Sequence, residues 1–372
     1  MKSVMGLNEA LLGKMVPIMI STNALAFLER MITTPSPSGF EEPNAKNFRD
    51  YVSTFADEVT TDPLGSVIAA VNPTGSPRVM LAGHIDEIGF LIHYINDEGF
   101  CYFRTIGGHD LANLVGQRVV VQTRKGPVHG VIGKKPIHLL SIEERGKKPE
   151  LEDLWIDLGV TNKQEALDAG VQIGDPAVYA DGWQPLIGDR VAGRAMDNRV
   201  GAWVVAEALR RVKELNPKAA VFAVATVQEE IGLRGAHAAT HGVRPDIGIA
   251  VDVTFATDFP SMDKRKVSPM KLGGGPGVLR GANANRKLAD RIVDVAGKAA
   301  IPVQVQATPG GTGTDANAMQ IAMAGVCTGL VEVPLRYMHT PCEIISLSDA
   351  DACAELLAQV CASLEPGESW TP

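Results

Sequence analysis

The run Val221-Phe-Ala-Val-Ala-Thr-Val227 constrains the fold more than any other stretch of the chain. It is short, apolar and rich in β-branched and small residues, which suits a strand buried on both faces. Strands of that kind belong to sheets covered by helices, so the run points to an α/β fold. It leads into Gln228-Glu-Glu-Ile-Gly-Leu-Arg-Gly235. In open α/β sheets, chemistry gathers beyond the carboxyl ends of the strands. Adjacent residues of an extended chain point to opposite faces. Glu229 and Glu230 are therefore expected to divide two tasks, one binding something and the other acting on it. The plain alternative is a solvated acidic loop, since most Glu residues are exposed.

A chain of 372 residues can bury a large core and form more than one domain. Its net charge, 35 − 43 = −8, gives no reason to expect a nucleic-acid or anionic-membrane partner. No apolar run approaches the roughly 18 residues that span a bilayer. Met15-Val-Pro-Ile-Met-Ile20 imitates a secretion signal, but an amphipathic stretch from Asn23 to Ile32 leads straight into a Pro/Ser/Gly turn at 35–39. Cys101, Cys327, Cys342, Cys353 and Cys361 are odd in number and contain no CxxC, as in a reduced, cytoplasmic protein.

Helical patterning is expected across 22–60, broken by that turn, and strands at Ser66–Val71 and Val79–Ala82. The second ends in Gly83-His-Ile-Asp-Glu-Ile-Gly89, where His84 and Asp86 are two apart and so share a face. A His beside a carboxylate is a familiar pairing at metal sites. From Phe90 to Gly188 the texture changes to short strand-like runs between Gly, Pro and charged turns, which predicts a small β-barrel or sandwich. Ser141–Asp153 reads as an exposed charged loop, and His93, His109, His129 and His138 as structural or surface residues. The α/β texture then returns. Asp197 opens a helix, where an N-cap is its ordinary role. Ile247–Asp252 is a third buried strand ending in an acid. Pro309-Gly-Gly-Thr-Gly-Thr-Asp315 is a loop able to offer backbone N–H groups to a substrate. Leu330–Val333 precedes Pro334-Leu-Arg-Tyr-Met-His339, and Ser348–Leu364 forms a closing helix.

Four predicted strands thus deliver ligand-type residues at one rim: His84, the pair Glu229/Glu230, Asp252 and His339, with Asp197 added from a helix-opening turn. Two His and three or four carboxylates make up the inventory of a two-metal site with N and O ligands. Metals about 3.5–4 Å apart need a bridging carboxylate. Each metal can then take one His and one further acid, and one acid is left to move protons. A glycosidase would need two carboxyl groups set across a sugar bond, and adjacent glutamates facing apart do not provide that pair. A catalytically silent metal-binding scaffold is the rival from another class, and it would have no use for an unligated carboxylate.

The segments Ala82-Gly-His-Ile-Asp-Glu-Ile-Gly-Phe90, Arg194-Ala-Met-Asp-Asn-Arg-Val-Gly201, Val227-Gln-Glu-Glu-Ile-Gly-Leu-Arg-Gly-Ala236, Val251-Asp-Val-Thr254, Gly311-Thr-Gly-Thr-Asp315 and Arg336-Tyr-Met-His-Thr-Pro341 carry a family resemblance. Together, and in order, they resemble the tetrahedral (TET-type) dinuclear metal aminopeptidases. That family includes glutamyl and deblocking aminopeptidases, and its members often carry the name cellulase M or endoglucanase M. The resemblance implies a zinc-exopeptidase fold of the phosphorylase/hydrolase kind, formed by 1–89 and 189–372, with 90–188 inserted as a dimerisation domain. It implies two zinc or cobalt ions per subunit. His84 and Asp252 would hold one, Glu230 and His339 the other, and Asp197 would bridge. Glu229 would be the general base and Asp86 would orient His84. A cis peptide is implied at Asp197–Asn198. Gly311, Thr312, Gly313 and Asp315 would line the substrate site. The expected substrates are short peptides and the expected assembly is a homododecamer built from dimers.

Overall fold

The computed structural model describes residues 20–180 and 182–371. Residues 15–19 of the apolar N-terminal segment lie outside the described residues. Among those described, eleven strands form one mixed sheet and six close a barrel. The fold is α/β, as the sequence implied. At the centre of the sheet, Val67–Val71, Ala220–Thr226, Arg78–His84, Ile247–Phe255 and Cys327–Arg336 lie side by side, and the last four are mutually parallel. Every residue of Ala220–Thr226 is buried, as its uniform apolar composition requires.

Helices bury both faces of this sheet. On one face lies Met196–Glu214, whose residues from Met196 to Leu209 are all buried, with Leu347–Ala362 and Thr22–Thr33 packed against it. On the other face, Arg234–Val243 and Asp315–Gln320 close a smaller cluster that includes Met80, Val224 and Met319. The long helix approaches the His84 strand very closely. A Cβ on Gly83 would stand 2.6 Å from the carbonyl carbon of Gly201, a separation that atoms do not adopt. This glycine contact draws the start of the helix, and Asp197 with it, over the end of the strand.

Several boundaries differ from the sequence reading. The helical stretch predicted across 22–60 resolves into Thr22–Thr33 and Glu42–Val52, and Glu58–Thr61 is a strand. Val59, Thr60 and Thr61 are β-branched and pair antiparallel with Ala69, Ile68 and Val67. Asp252 does not end its strand. Ile247–Phe255 runs three residues further, because it pairs with Cys327–Arg336 along its whole length.

The barrel is formed by Gly89–Ile95, Cys101–Ile106, Trp155–Asp157, Gly126–Gly133, Arg118–Thr123 and Pro176–Tyr179, in that spatial order. It has its own core, in which Phe90 meets Phe103 and Tyr179 edge-on. Cys101–Ile106 and Trp155–Asp157 were not evident from the sequence. The charged stretch 141–153 is mostly exposed and contains a helical turn, Ile142–Arg145, and a 3-10 turn, Leu151–Asp153. His93, His129 and His138 are exposed. His109 is a structural residue: its ring lies 3.1 Å from the Tyr179 hydroxyl and 3.0 Å from the Gly89 carbonyl.

Candidate active site

The four parallel strands end at one rim, and the predicted ligand residues meet there. His84 closes its strand and is 1% exposed. Asp197 lies at the start of the long helix but does not cap it. Ala195 occupies the cap position in a left-handed conformation, the helical dihedrals are broken at Asp197 and Asn198, and the peptide between those two is cis. Asn198 fixes the break by donating to the Val251 carbonyl at 2.7 Å and accepting from the Gly201 N–H at 3.1 Å. The Asp197 carboxylate is thereby turned into the cleft. Its Oδ1 is 3.3 Å from His84 Nε2 and its Oδ2 is 3.3 Å from His339 Nε2.

Glu229 and Glu230 do separate, though not because they sit in extended chain. The strand ends at Thr226, and Gln228 takes a left-handed φ of 55°. The two glutamates belong to a tight turn whose N–H groups both donate to Asp86, each at 3.1 Å. Glu230 faces His339, Oε1 to Nε2 at 3.3 Å, whereas Glu229 faces His84 at 3.8 Å. Among the described residues, two groups of side chains are close enough to hold a metal ion: His84, Asp197 and Asp252, and Asp197, Glu230 and His339. Asp197 belongs to both. The donor atoms within each group lie within 4.8 Å of one another. Imidazole nitrogens and carboxylate oxygens together suit zinc and its first-row neighbours.

Electrostatics follow from burying these acids together. Burial, with the charges of Asp252 and Asp315, pushes Glu229 up to about 10 even though His84 pulls it down. Burial and Asp197 raise Asp252, and burial also raises Glu230. Burial opposes a charge on His339, yet Asp197 and Glu230 together bring its ring up to about 11. Four carboxyl groups, those of Asp197, Glu229, Glu230 and Asp252, face only two imidazoles, so the cluster gathers positive charge, whether as protons or as metal cations.

Asp86 does more than the sequence suggested. It is completely buried, accepts from Ser38 Oγ at 2.5 Å and from the Glu229 and Glu230 N–H groups, and stands 3.4 Å from His84 Nδ1. One carboxylate therefore fixes a candidate ligand and the turn bearing the other two acids. Glu343, which sequence reasoning missed, does the same on the far side by accepting from the Asp197 N–H at 3.1 Å and the His339 N–H at 2.7 Å. Its only sequence signal is its place four residues after His339. Beneath the site, Glu87 is paired with the buried Arg194 and Arg199 at 2.5 and 2.7 Å.

The cleft above these groups has a volume of about 230 Å³. Thr312 and Gly313 line it, together with Thr314, Phe255, Glu332 and Met338. Gly311 is outside the lining. Asp315 is buried below, where it accepts from Thr226 Oγ1 at 2.6 Å.

Comparison with known proteins agrees with this geometry. The M42 glutamyl aminopeptidase family matches residues 65–356. The chain is 37% identical over 347 residues to a lysyl aminopeptidase of Pyrococcus furiosus, covering 93% of this chain and 98% of that protein. Its structure is similar to that of a TET aminopeptidase from the marine sediment archaeon Thaumarchaeota archaeon SCGC AB-539-E09, at 36% identity and a TM-score of 0.89, covering 92% and 97% of the two chains. A Pyrococcus horikoshii TET1 peptidase, described as assembling into a tetrahedron or a large octahedral shell, is 32% identical with a TM-score of 0.82, covering 92% of this chain and all of that one. The chain therefore belongs to the M42 glutamyl aminopeptidase family of TET-type peptidases.

Proposed function

We propose that the cleft is a dinuclear metal centre that hydrolyses the first peptide bond of short peptides. The position of Asp197, one carboxylate with each oxygen 3.3 Å from a different imidazole, carries this reading. Two divalent ions, zinc or cobalt, suit the donor set. His84 and Asp252 would hold one, Glu230 and His339 the other, and Asp197 both. When bound, such ions acidify water and polarise a carbonyl.

The chain's own residues would do the rest. Glu229 is the acid of the Glu229–Glu230 turn left outside both candidate metal groups. It would take the proton of the attacking water and pass it to the departing amine. Asp86 would keep Glu229 and His84 in register through the Glu229 N–H and His84 Nδ1. Thr312 and Gly313 would border the bound peptide, with Gly311 and Asp315 supporting that loop. The surrounding acids favour a free N-terminal ammonium, which makes exopeptidase action the better fit.

The barrel, 90–188, would serve as the dimerisation domain of a homododecamer in the cytoplasm. The large assembly of the related P. horikoshii TET1 peptidase supports this reading, and no described helix is long and apolar enough to cross a membrane. A panel of aminoacyl-p-nitroanilides, run with elemental analysis, tests the function. Hydrolysis that disappears on chelation and returns with zinc or cobalt is expected. Metal binding without hydrolysis of any member would favour the silent scaffold instead.

A further inference from the structure

Glu41 is a buried carboxylate that the proposed mechanism does not use. It is 5% exposed and precedes the helix Glu42–Val52, in the position where a side chain ordinarily caps the helix. It makes no cap bond there. Its Oε1 instead accepts from the Gly39 N–H at 2.7 Å and from the Gln228 N–H, 187 residues further along the chain, at 3.0 Å.

Gln228 is where the chain turns out of its strand. The strand ends at Thr226, Gln228 takes a φ of 55°, and Glu229 and Glu230 follow. A left-handed backbone is unfavourable for any residue with a Cβ, so neighbouring groups must hold it. The Gln228 carbonyl accepts from the Arg234 N–H at 3.2 Å, and Asp86 accepts from the two N–H groups that follow. Glu41 holds the turn at its first N–H.

The segment that carries Glu41 is itself fixed to the site. Ser38 donates to Asp86, and the Ser36 and Ser38 N–H groups donate to Glu87 at 3.1 and 3.2 Å. The two glutamates of the turn do not depend equally on this support. Glu230 belongs to a group with Asp197 and His339 that a bound ion would tie together. Glu229 belongs to neither group, so its carboxylate stands where the turn puts it.

We infer that Glu41 is a positioning residue: by holding Gln228 left-handed, it sets where the Glu229 carboxylate stands in the cleft. The inference rests on the reading of Glu229 as the general base. It extends that reading to a side chain that touches neither the candidate metal groups nor the cleft.

One oxygen of Glu41 accepts both bonds, so Gln keeps the reach without the charge. Asp keeps the charge but falls one methylene short, and Leu has neither. The test measures kcat, KM and bound metal in the zinc- or cobalt-loaded wild type and in these three variants, with crystal structures of the wild type and Glu41→Leu. Glu41→Leu should lose kcat by about 10–100-fold, the scale of a lost outer partner, while KM and bound metal change little. Glu41→Gln should keep most of the wild-type kcat, and Glu41→Asp should not. The Asp variant carries the test if Glu41→Leu does not fold. Glycine adopts the left-handed backbone freely, so adding Gln228→Gly to Glu41→Leu or Glu41→Asp should recover part of the lost kcat. A merely structural role predicts instead that the two losses add.

Additive losses, an unchanged kcat in Glu41→Leu, or a kcat preserved by Asp but not by Gln overturn the assignment. The Glu41→Leu crystal structure should show Gln228 released from its left-handed conformation and Glu229 displaced. That displacement, beside a wild type that hydrolyses no aminoacyl-p-nitroanilide, supports the hold of Glu41 on the turn while refuting the peptidase reading. Turnover by the wild type with Glu229 unmoved in the variant refutes the Glu41 assignment alone.

Discussion

Asp86→Asn is the most informative substitution outside the candidate ligands. The aspartate accepts from Ser38 Oγ and from the backbones of Glu229 and Glu230, and it faces His84. An asparagine side chain of the same shape has one acceptor oxygen and one amide donor. One of the two backbone N–H groups would then meet a donor instead of an oxygen. Hydrogen bonds to a charged acceptor contribute about 1.5–3 kcal/mol, and a buried donor left without a partner costs about 1–3 kcal/mol. Because the turn can relax in part, a loss of roughly 2–4 kcal/mol is expected. The same change loosens His84 and the Glu229–Glu230 turn, so metal affinity or activity should fall about 10–100-fold. Urea unfolding with metal chelated measures the first effect, and competition with a chromogenic chelator measures the second. If Asp86→Asn stays within about 0.5 kcal/mol of the wild type, as an inert surface change would, and binds metal normally, the reasoning about Asp86 fails.

Other expectations follow from the same geometry. Asp197→Ala should lose both metals rather than slow the reaction alone, and elemental analysis checks this. A change confined to about 1 kcal/mol of stability with full metal content would return Asp197 to a helix-start role. Light scattering should find an oligomer far larger than one chain, and a strict monomer at micromolar concentration would remove the proposed role of the barrel. Burial holds His109 down to about 4, so the folded state binds fewer protons than the unfolded state between there and its ordinary 6.5. Its contribution is fully present above pH 6.5 and is lost as pH falls. Wild type should therefore lose about 1–2 kcal/mol more than His109→Gln between pH 7 and pH 5, and parallel urea titrations with equal slopes would contradict this.

The sequence made the ligand types legible because they follow buried apolar runs, and a chain that buries such runs in parallel must bring their ends to one rim. His84, Glu230 and His339 could be placed in this way. Asp252 was placed correctly at the rim but wrongly at a strand end, since the length of its strand is decided by a neighbour some 80 residues away in sequence. The divergence of Glu229 from Glu230 was anticipated on a mistaken geometry: the left-handed Gln228 and the two bonds to Asp86 set it, and extended pleating does not. Glu343 was missed because one of its two partners, the Asp197 N–H, is 146 residues away, and its four-residue spacing from His339 falls in a turn that periodicity cannot read. The barrel was visible as a change of texture, but Cys101–Ile106 and Trp155–Asp157 lack the alternation or length that would mark them as strands.

Two adjacent glutamates are assigned to binding and to proton transfer, and substituting each in turn separates the two roles. Glu229→Gln and Glu230→Gln are assayed for kcat and bound metal across a titration of added zinc or cobalt. Glu229→Gln should bind metal like the wild type while kcat falls by about 10²–10⁴-fold, as for a lost acid–base group, and excess metal should not restore it. Glu230→Gln should bind one metal weakly and recover part of its activity as metal is added. Rescue of Glu229→Gln by metal, or near-normal kcat in that variant, would contradict the assignment.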